Sequence, residues 1–399
     1  MSLLDIYKKF KAAADTAVEA DGSTGNTVKI LKNGVNYPYF DRLSVKKDLD
    51  YLGGSFSFDT FSINGRTVPF IPMDEVKIYI NGILVLTGQV FVISVNYSTD
   101  SHSIKIEGYS KSRVLVDNSI INNAQKDSGE YLQKLIVDTL KEQGITSLVV
   151  ENDPNNIKIT EDTSAEIEES IFEYLNRYAS LAGAIITTNR DGNIEIYRND
   201  GLHEGIYSGV ILRNKFKSNN NNHILQANFV QDFRERYEEV TVVSQATDDP
   251  IRLTKQANPG VDISLEDGQT VTDTALKDSE RKLLIVANSE LDEEEALVYA
   301  TWEVNNRIAK SLKYNCTVTG FGPISNKAYI YELNYTFLID DEYASINKVM
   351  LIKSIDYQFD SSRGHTTQLT FIPSNSYKLD TTDPNLVVYK EEDVINDKR

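Results

Sequence analysis

Cysteine is almost absent from this 399-residue chain, in which Cys316 is the only one. A single thiol excludes an intrachain disulfide and any metal site built from several thiolates of one chain. Its neighbours are typical of a strand, which favours a buried, unreactive thiol over a nucleophile. Long apolar runs are also lacking, because no segment approaches the ~20 residues that a membrane-spanning helix requires. The start of the chain has no signal-peptide core. We therefore expect no membrane insertion.

Positive charge is in deficit. The chain has 41 Lys and Arg against 59 Asp and Glu, a net charge of −18 at pH 7. Proteins that hold DNA or RNA gain their affinity from clustered basic side chains, so this balance argues against nucleic-acid storage. An acidic surface instead lets a polyanion pass without adhering. Trp is scarce too, with one residue against 22 Tyr and 15 Phe. Tyr suits strands and contacts with other proteins.

The patterns of catalytic and metal sites are lacking as well. The four histidines have no metal-binding spacing, and we expect each in a separate turn or loop: His102, His203, His223 and His365. No phosphate-binding loop or nucleophile elbow occurs. Acidic runs such as Asp340–Glu342 are typical of solvated turns. We predict no catalytic, cofactor-binding or metal-binding residues, no cofactor and no enzymatic activity.

The hydrophobic pattern divides the first half of the chain into three units. Residues 1–25 predict an amphipathic helix, and residues 26–120 a first antiparallel β-module. Its candidate strands are 28–32, 40–49, 55–61, 75–80, 85–97 and 102–110. Its hairpin turns are the Asn-Gly pairs Asn33-Gly34, Asn64-Gly65 and Asn81-Gly82. Residues 128–200 predict a small α+β domain with a helix from about Ser128 to Gln143. A second helix is predicted to begin at a capping box of Thr163 and Glu166.

The second half predicts a second β-module, interrupted by an insertion. The module comprises residues 206–250 together with 314–377, and the inserted segment spans residues 251–313. That segment contains a helix from about Leu291 to Leu312, whose acidic first turn and basic last turn complement the helix dipole. Residues 378–399 form an acidic tail without periodicity.

Two hairpins at opposite ends of the chain resemble each other. Residues 90–110 and 350–374 each predict a strand, a polar turn and a returning strand. Four residues recur at an offset of 260: Ser94, Tyr97, Asp100 and Ser101 reappear as Ser354, Tyr357, Asp360 and Ser361. This repetition predicts two related β-modules in one chain.

Several stretches, in order, resemble the baseplate hub proteins of Mu-like contractile-tailed phages, the late-control-D type. The opening strands carry the family pattern at Asn33, Gly34, Gly53, Gly54, Ser55 and Phe56. The family signature G-x-[SD]-K-x-x-x-L-V-D is matched by residues 108–117. The family's W-E-x-N-R-R-x-A-R-S helix is similar to a segment with Trp302, Glu303, Asn306, Arg307, Ala309 and Ser311. The final hairpin, from residue 351 to 377, resembles the family's closing hairpin.

The resemblance implies a β-rich α+β fold. It would contain two related antiparallel β-barrel-like modules, a small α+β domain and a further inserted α/β segment. It also implies a structural hub in the virion's tail baseplate, made in the bacterial host cytoplasm. Three chains would form a homotrimeric ring of six modules that joins a sixfold tail tube to a threefold central spike.

The implied partners are the chain itself, the tail tube or tube-initiator protein, the central spike protein and other baseplate proteins. DNA would pass through the ring transiently and without specific binding, and part of the negative charge would line the channel. Two alternatives stay open from the residues. One is a peripheral receptor-binding or carbohydrate-binding tail protein, and the other is a cell-wall-degrading tail enzyme that uses a carboxylate pair.

Overall fold

The structure is a computed structural model. It describes residues 27–61, 68–98, 102–121, 125–151, 153, 156–159, 162–166, 168–197, 205–216, 222–243, 268–287, 291, 293–322, 329–362, 364–374 and 376. Of residues 205–210 and 294–295 it describes the backbone. Five predicted features lie outside these residues: the N-terminal helix, the Asn64-Gly65 turn, the Asp100-Ser101 part of the first hairpin, His203 and the acidic tail.

Strands dominate the described chain. The first module contains β1 Val28–Lys32, β2 Val35–Asn36, β3 Phe40–Asp48, β4 Ser55–Thr60, β5 Glu75–Ile80, β6 Ile83–Tyr97 and β7 His102–Ser110. The central part contains β8 Ile185–Thr188, β9 Ile194–Tyr197, β10 Gly205–Asn214, β11 Ile224–Gln231, β12 Glu239–Val243, β13 Gln269–Thr272 and β14 Lys282–Val286. The last strands are β15 Leu312–Thr319, β16 Tyr335–Asp341, β17 Ile346–Asp360 and β18 Gly364–Pro373. The α-helices are α1 Val114–Asp117, α2 Leu132–Glu142, α3 Ile171–Leu181 and α4 Glu293–Ser311.

Thirteen of the strands form one sheet that runs through both modules. Its order is β11-β15-β18-β17-β3-β4-β7-β6-β5-β1-β2, with β16 beside β17 and β10 beside β16. The fold class is confirmed as β-rich α+β. The described strands of this sheet do not close into a barrel, and β10 pairs with β16 in parallel. The predicted barrel-like modules are therefore two halves of one open sheet. Apolar side chains from both halves form one common core.

The first module follows its alternating sequence closely. In β4, Phe56 and Phe58 are buried in the core, while Ser55 and Ser57 alternate with them on the other face, as the period of two in a strand requires. Asn33-Gly34 and Asn81-Gly82 form the predicted two-residue turns, and all four residues have positive φ. Asn and Gly tolerate that conformation, which matches the twist of the flanking strands.

The α+β domain packs α2 and α3 against the β8–β9 hairpin around a separate apolar core. The predicted capping box was wrong. The box that caps α3 consists of Ser170 and Glu173, each side chain accepting from the other's backbone N–H. Thr163 instead accepts a hydrogen bond from the Lys126 N–H. Both sites satisfy the S/T-x-x-E pattern, and the true helix starts at the second because continuous apolar periodicity begins at Ile171.

The inserted unit begins earlier than the sequence indicates. β12, which was assigned to the second module, pairs with β13 and β14 in a separate three-stranded sheet. Helix α4 packs on this sheet through Ala296, Ala300, Val304 and Ile308. The insertion therefore lies between the end of β11 and the start of β15. None of the described helices is long and apolar enough to span a membrane.

Candidate assembly surface

A single backbone seam joins the two modules. The second half of β17, from Ser354 to Asp360, pairs antiparallel with β3 from Asp48 to Arg42. The first half of β17 pairs with β16 instead. Beyond the seam, the Leu49 N–H donates to the Lys353 carbonyl at 3.0 Å. The first half of β17 therefore pairs with a strand of the second module, and its second half pairs with a strand of the first module.

Side chains reinforce the seam. The Ser44 hydroxyl donates to Asp356 at 2.7 Å, and Lys46 lies 4.0 Å from the same carboxylate. Lys353 forms an ion pair with Asp50 just past the end of β3. Apolar residues on the other face are buried in the common core: Leu43, Val45, Ile355 and Tyr357. The seam is thus an internal interface with a polar outer side and an apolar inner side.

The two modules have the same strand order. In the first module the order is β3-β4-β7-β6-β5, and in the second it is β11-β15-β18-β17-β16. The strands at equivalent places in the two modules also come in the same order along the chain. The short connection between β3 and β4 corresponds to the whole inserted unit between β11 and β15. The topology therefore contains the repetition that the two hairpins indicated.

The structural register of the repeat differs from the sequence echo. The long strands bulge at Phe91 and at Lys353, where the hairpin register shifts, and these positions are 262 residues apart. The residue before each bulge accepts from a backbone N–H, Met73 to Val90 at 2.8 Å and Asn334 to Ile352 at 3.1 Å. Both donors have positive φ.

The described residues of the echo, Ser94 and Tyr97, are therefore two places out of structural register with Ser354 and Tyr357. Tyr97 corresponds to Phe359, and these residues pair with His102 and His365 in their respective hairpins. Tyr357 corresponds to Val95. The interpretation of two related modules is retained, but the residue matches at an offset of 260 were wrong as structural equivalences. The two bulges set the structural offset at 262, because each adds one residue to the long strand without one opposite it.

Equivalent positions differ sharply in exposure. Tyr357 is 2 % exposed, with β3 beside it and with Phe321 and Tyr331 against its side chain, whereas Val95 is 39 % exposed. Beyond the bulge, β6 pairs only with β7 among the described strands, which leaves its other edge uncovered. The equivalent of β3 is β11, which pairs only with β15 in the described chain. In the described chain, one edge of β6 and one edge of β11 are therefore without a neighbouring strand.

Both long strands run in the same direction. Each step along the path β17-β3-β4-β7-β6 is antiparallel, so the four steps restore the original direction. The last residue pairs of the β6–β7 and β17–β18 hairpins, Tyr97 with His102 and Asp360 with Gly364, consequently lie at one rim of the sheet. The β5–β6 and β16–β17 turns lie at the opposite rim.

Residues 108–117, which resemble a family signature, connect the first module to the α+β domain. Gly108 in β7 faces Phe56, and a Cβ at this position would lie 2.3 Å from that ring. Lys111 donates to Asn193 of the β8–β9 hairpin at 2.7 Å. Arg113 lies over the Tyr109 ring and donates to Asp117 at 2.8 Å. Leu115 is fully buried in the α+β core. These residues therefore have a structural role, in which they hold the first module and the α+β domain together.

A cleft of about 690 Å³ lies where the two modules meet the α+β domain. Its walls include Lys46, Asp48, Gly53, Arg113 and Asp356. Burial raises the pKa of Asp48, while on the other side of the same strand burial lowers the pKa of Lys47 to about 8. Lys46 pairs with Asp356 in these walls, and Asp48 accepts from the Asp50 N–H at 2.8 Å, which favours a structural junction over a substrate pocket.

The predicted non-reactive residues have ordinary structural surroundings. Cys316 is buried in β15, and burial raises the pKa of its thiol. His102 begins β7 and His365 lies in β18 against Phe321, so the prediction that these two occupy turns or loops was wrong. His223 contacts the Ile211 carbonyl at 2.9 Å. No cluster of three or more metal-ligating side chains occurs in the part of the chain that the structure describes.

Comparison with known proteins shows what the chain is similar to. Residues 27–110 match the model of the N-terminal domain of the Mu phage baseplate assembly protein GpP-like family. The baseplate hub protein gp44 of Escherichia phage Mu is 22 % identical over 360 residues, 88 % of this chain and 89 % of that protein. The match to the GpP-like model covers β1 to β7, the complete first module.

Solved structures show the same fold over most of the chain. The 43 kDa tail protein of prophage MuSo2 from Shewanella oneidensis has a TM-score of 0.70 and 21 % identity, covering 88 % of this chain and 99 % of that one. A tail protein from Neisseria meningitidis MC58 has a TM-score of 0.71 and 16 % identity, covering 88 % and 98 %. Together with the Mu similarity, these matches support a structural role in a phage baseplate.

Sequence reasoning did not identify the assembly surface. The exposed half of β6 reads as an ordinary amphipathic strand, and β11 reads as one more strand of the second module. The signal that was present is the alternation of Ile93, Val95 and Tyr97, which places three large side chains on one face. Only the strand pairing in the structure reveals that no described strand lies beside this half of β6, whereas β3 lies beside the equivalent half of β17.

Proposed function

We propose that the protein is a structural hub of a contractile phage tail, located in the virion baseplate, and that three copies form a closed ring. Each copy would contribute two similar modules, so the ring would have six. A repeated module can offer repeated contacts to a partner of higher symmetry. The similarity to a Mu baseplate hub and the fold shared with prophage tail proteins support this role.

The observation that carries the proposal is the unequal cover of equivalent positions. β3 covers Tyr357 within the chain, and β11 is the second copy of β3. We infer that β11 of a neighbouring copy covers Val95. Uncovered strand edges with apolar side chains promote association, and pairing them between copies removes that liability. Repeating the step three times would close the ring.

The internal seam predicts the register between copies. In the first module Val45, Phe56, Gly108 and Val90 form one cross-strand row. The equivalent row of the second module is Phe229, Tyr314, Phe371 and Ile352. Because Tyr357 pairs with Val45 and Gln358 with Ser44, Val95 should face Phe229 and Asn96 should face Asn228 of the next copy.

Engineered disulfides test this register with a matched control. Asn96→Cys with Asn228→Cys should link different copies, because facing residues on antiparallel strands have Cα atoms about 4.5–5.5 Å apart. Ser44→Cys with Gln358→Cys should link the same two types of strand inside one copy. On a non-reducing gel, the first variant should run as covalent dimers and trimers and the second as a monomer. Light scattering should give three times the monomer mass for both.

Two results would contradict the ring. One is a monomeric mass for the wild-type protein at micromolar concentration. The other is efficient closure of the Ser44–Gln358 control together with no link between Asn96 and Asn228. Cys316 stays in both variants, since its buried thiol should not react.

Partners and passage follow from the proposed ring. The ring would bind the tail tube or tube-initiator protein on one side, the central spike on the other and further baseplate proteins around it. DNA would pass through without specific binding, because a net charge of −18 repels a polyanion. Filter binding with double-stranded DNA at 50 mM salt should show no retention, and retention that falls steeply with salt would contradict the acidic channel.

A non-enzymatic role is part of the proposal. The cleft at the junction of the modules has acidic side chains, but Lys353 pairs with Asp50, and Asp356 contacts Ser44 and Lys46. Carboxylates that are paired in this way are typical of a structural contact between domains and are not available as a catalytic acid and base. Incubation with purified cell walls should release no muropeptides, and release that Asp48→Asn abolishes would overturn this assignment.

A further inference from the structure

Two exposed aromatic rings project from one rim of the second module. Phe216 follows β10 and Tyr343 lies in the β16–β17 turn, and their ring centroids are 4.4 Å apart in an edge-to-face arrangement. Their residues are 63 % and 64 % exposed. Large apolar rings that remain this exposed contribute little to the core, and exposed aromatic groups are typical of protein contacts. We call this feature the aromatic pair.

Charged and backbone groups hold the aromatic pair in place. Lys215 donates to Asp340 at 2.6 Å and lies 3.3 Å from Glu342. Glu342 accepts from the Phe216 N–H at 2.8 Å, which ties the two ring-bearing segments together. Asp341 accepts from the Tyr343 N–H at 2.9 Å. Rings fixed before binding lose little conformational entropy on contact, so the pair is well suited to act as an anchor.

The described residues of the first module include no counterpart of the aromatic pair. The equivalent β5–β6 turn consists of only Asn81 and Gly82, whereas four residues separate Asp341 from Ile346. In a ring of three copies, the aromatic pair would therefore occur three times and alternate with three bare turns. The opposite rim would present six hairpin tips, two from each copy. The two rims thus differ in symmetry.

We propose that the aromatic pair is the docking site for a threefold-symmetric protein on the tail axis, which offers one apolar socket to each copy. This rests on the proposed trimeric hub. The acidic groups at the base of the pair are already matched by Lys215, so the socket need not be charged. Binding should accordingly depend weakly on salt. A sixfold partner would meet unlike sites in alternation at this rim and should bind the other one.

The test uses the full-length chain with two probes, the central spike protein and the tail tube protein of the same particle. A double variant, Phe216→Ser with Tyr343→Ser, removes both rings from exposed positions. Its affinity for the spike protein should fall at least tenfold, with unchanged tube binding and trimer mass. Tyr51→Ser is the matched control, because it removes an equally exposed tyrosine from the β3–β4 turn and should leave spike binding intact.

The outcomes separate this inference from the hub itself. Spike binding by the double variant at wild-type affinity would overturn the docking site while leaving the ring in place. Loss of tube binding instead of spike binding would overturn the assignment of the two rims. A wild-type protein that is monomeric would refute the proposed ring directly, whatever the spike measurement gives.

Discussion

Tyr314 donates a 2.5 Å hydrogen bond from its phenolic hydroxyl to the carboxylate of Asp341, and both side chains are buried. The same carboxylate accepts from the backbone N–H groups of Tyr343 and Ala344 and, at 3.3 Å, from Asn214. One acidic group thus fixes the β16–β17 turn to the core of the second module. Burial and this bond raise the pKa of Tyr314.

Tyr314→Phe should reduce the free energy of unfolding by about 1.5–3 kcal/mol, because a hydrogen bond to a charged acceptor is lost and the carboxylate stays buried. Chemical denaturation followed by circular dichroism measures the change. Tyr51→Phe, at an exposed position, should be neutral. Equal stability of the two variants would show that other donors fully replace the phenol.

Gly108→Ala should destabilise the first module by about 1–3 kcal/mol or more. A Cβ at this position would lie 2.2 Å from the Gln89 carbonyl oxygen and 2.3 Å from the Phe56 ring, so strands β6 and β7 would have to separate. Thermal unfolding provides the measurement, with Ser103→Ala on the exposed part of β7 as a control. An unchanged melting temperature for Gly108→Ala would contradict this close packing.

Arg236 and Asp273 form a fully buried ion pair in the inserted unit, with two guanidinium contacts of 2.8 and 2.6 Å to one carboxylate oxygen. Asp273→Asn should cost about 3–5 kcal/mol, because it leaves a buried cation without its counter-charge. The double variant Arg236→Met with Asp273→Leu should recover much of the loss. A double-mutant cycle in urea tests this, and additive losses would argue against coupling.

Asp74 should make stability sensitive to acid. Burial opposes its charge, but hydrogen bonds from the Ile71 N–H, Asn33 and Lys32 outweigh burial and lower its pKa. The folded protein therefore binds a proton less readily than the unfolded chain. Its stabilisation is complete above the unfolded pKa of about 4 and disappears as the pH falls through the lower folded value.

Asp74→Asn should accordingly be less stable than the wild type at pH 7 by about 1–3 kcal/mol, and the difference should shrink below pH 4. Urea titrations from pH 7 to pH 3 measure both quantities. Asp41→Asn provides a control with a carboxylate near the seam. A difference that stays constant over this range would mean that the charge of Asp74 is not responsible.

Much of the fold could be predicted from the sequence where local signals agree. Strands β1, β5 and β7 have the predicted limits, because strict alternation is bounded by Asn-Gly turns or polar loops. The start of α3 was misplaced because two S/T-x-x-E patterns lie seven residues apart. β12 was assigned to the wrong sheet because its pairing partners are distant in sequence. Local patterns do not determine such pairing.

The candidate surface could not be predicted for a related reason. Exposure of Val95 depends on what runs beside β6, and the hydrophobic pattern of a strand is the same whether its edge is covered or not. The echo between the hairpins did indicate repetition. The residue matches differ from the structural equivalences by two positions, because sequence similarity follows side-chain chemistry and structural equivalence follows backbone pairing.

The place of the inserted unit has a practical consequence for protein engineering. The second module accepts all of residues 232–311 at the point where the first module has only the connection between β3 and β4, and the strand order is unchanged. The exposed Tyr51 is therefore the graft point in this connection, because a fluorescent protein or an affinity domain inserted after it leaves the ion pair of Asp50 with Lys353 in place. The second module already contains an inserted unit at the equivalent position, between β11 and β15.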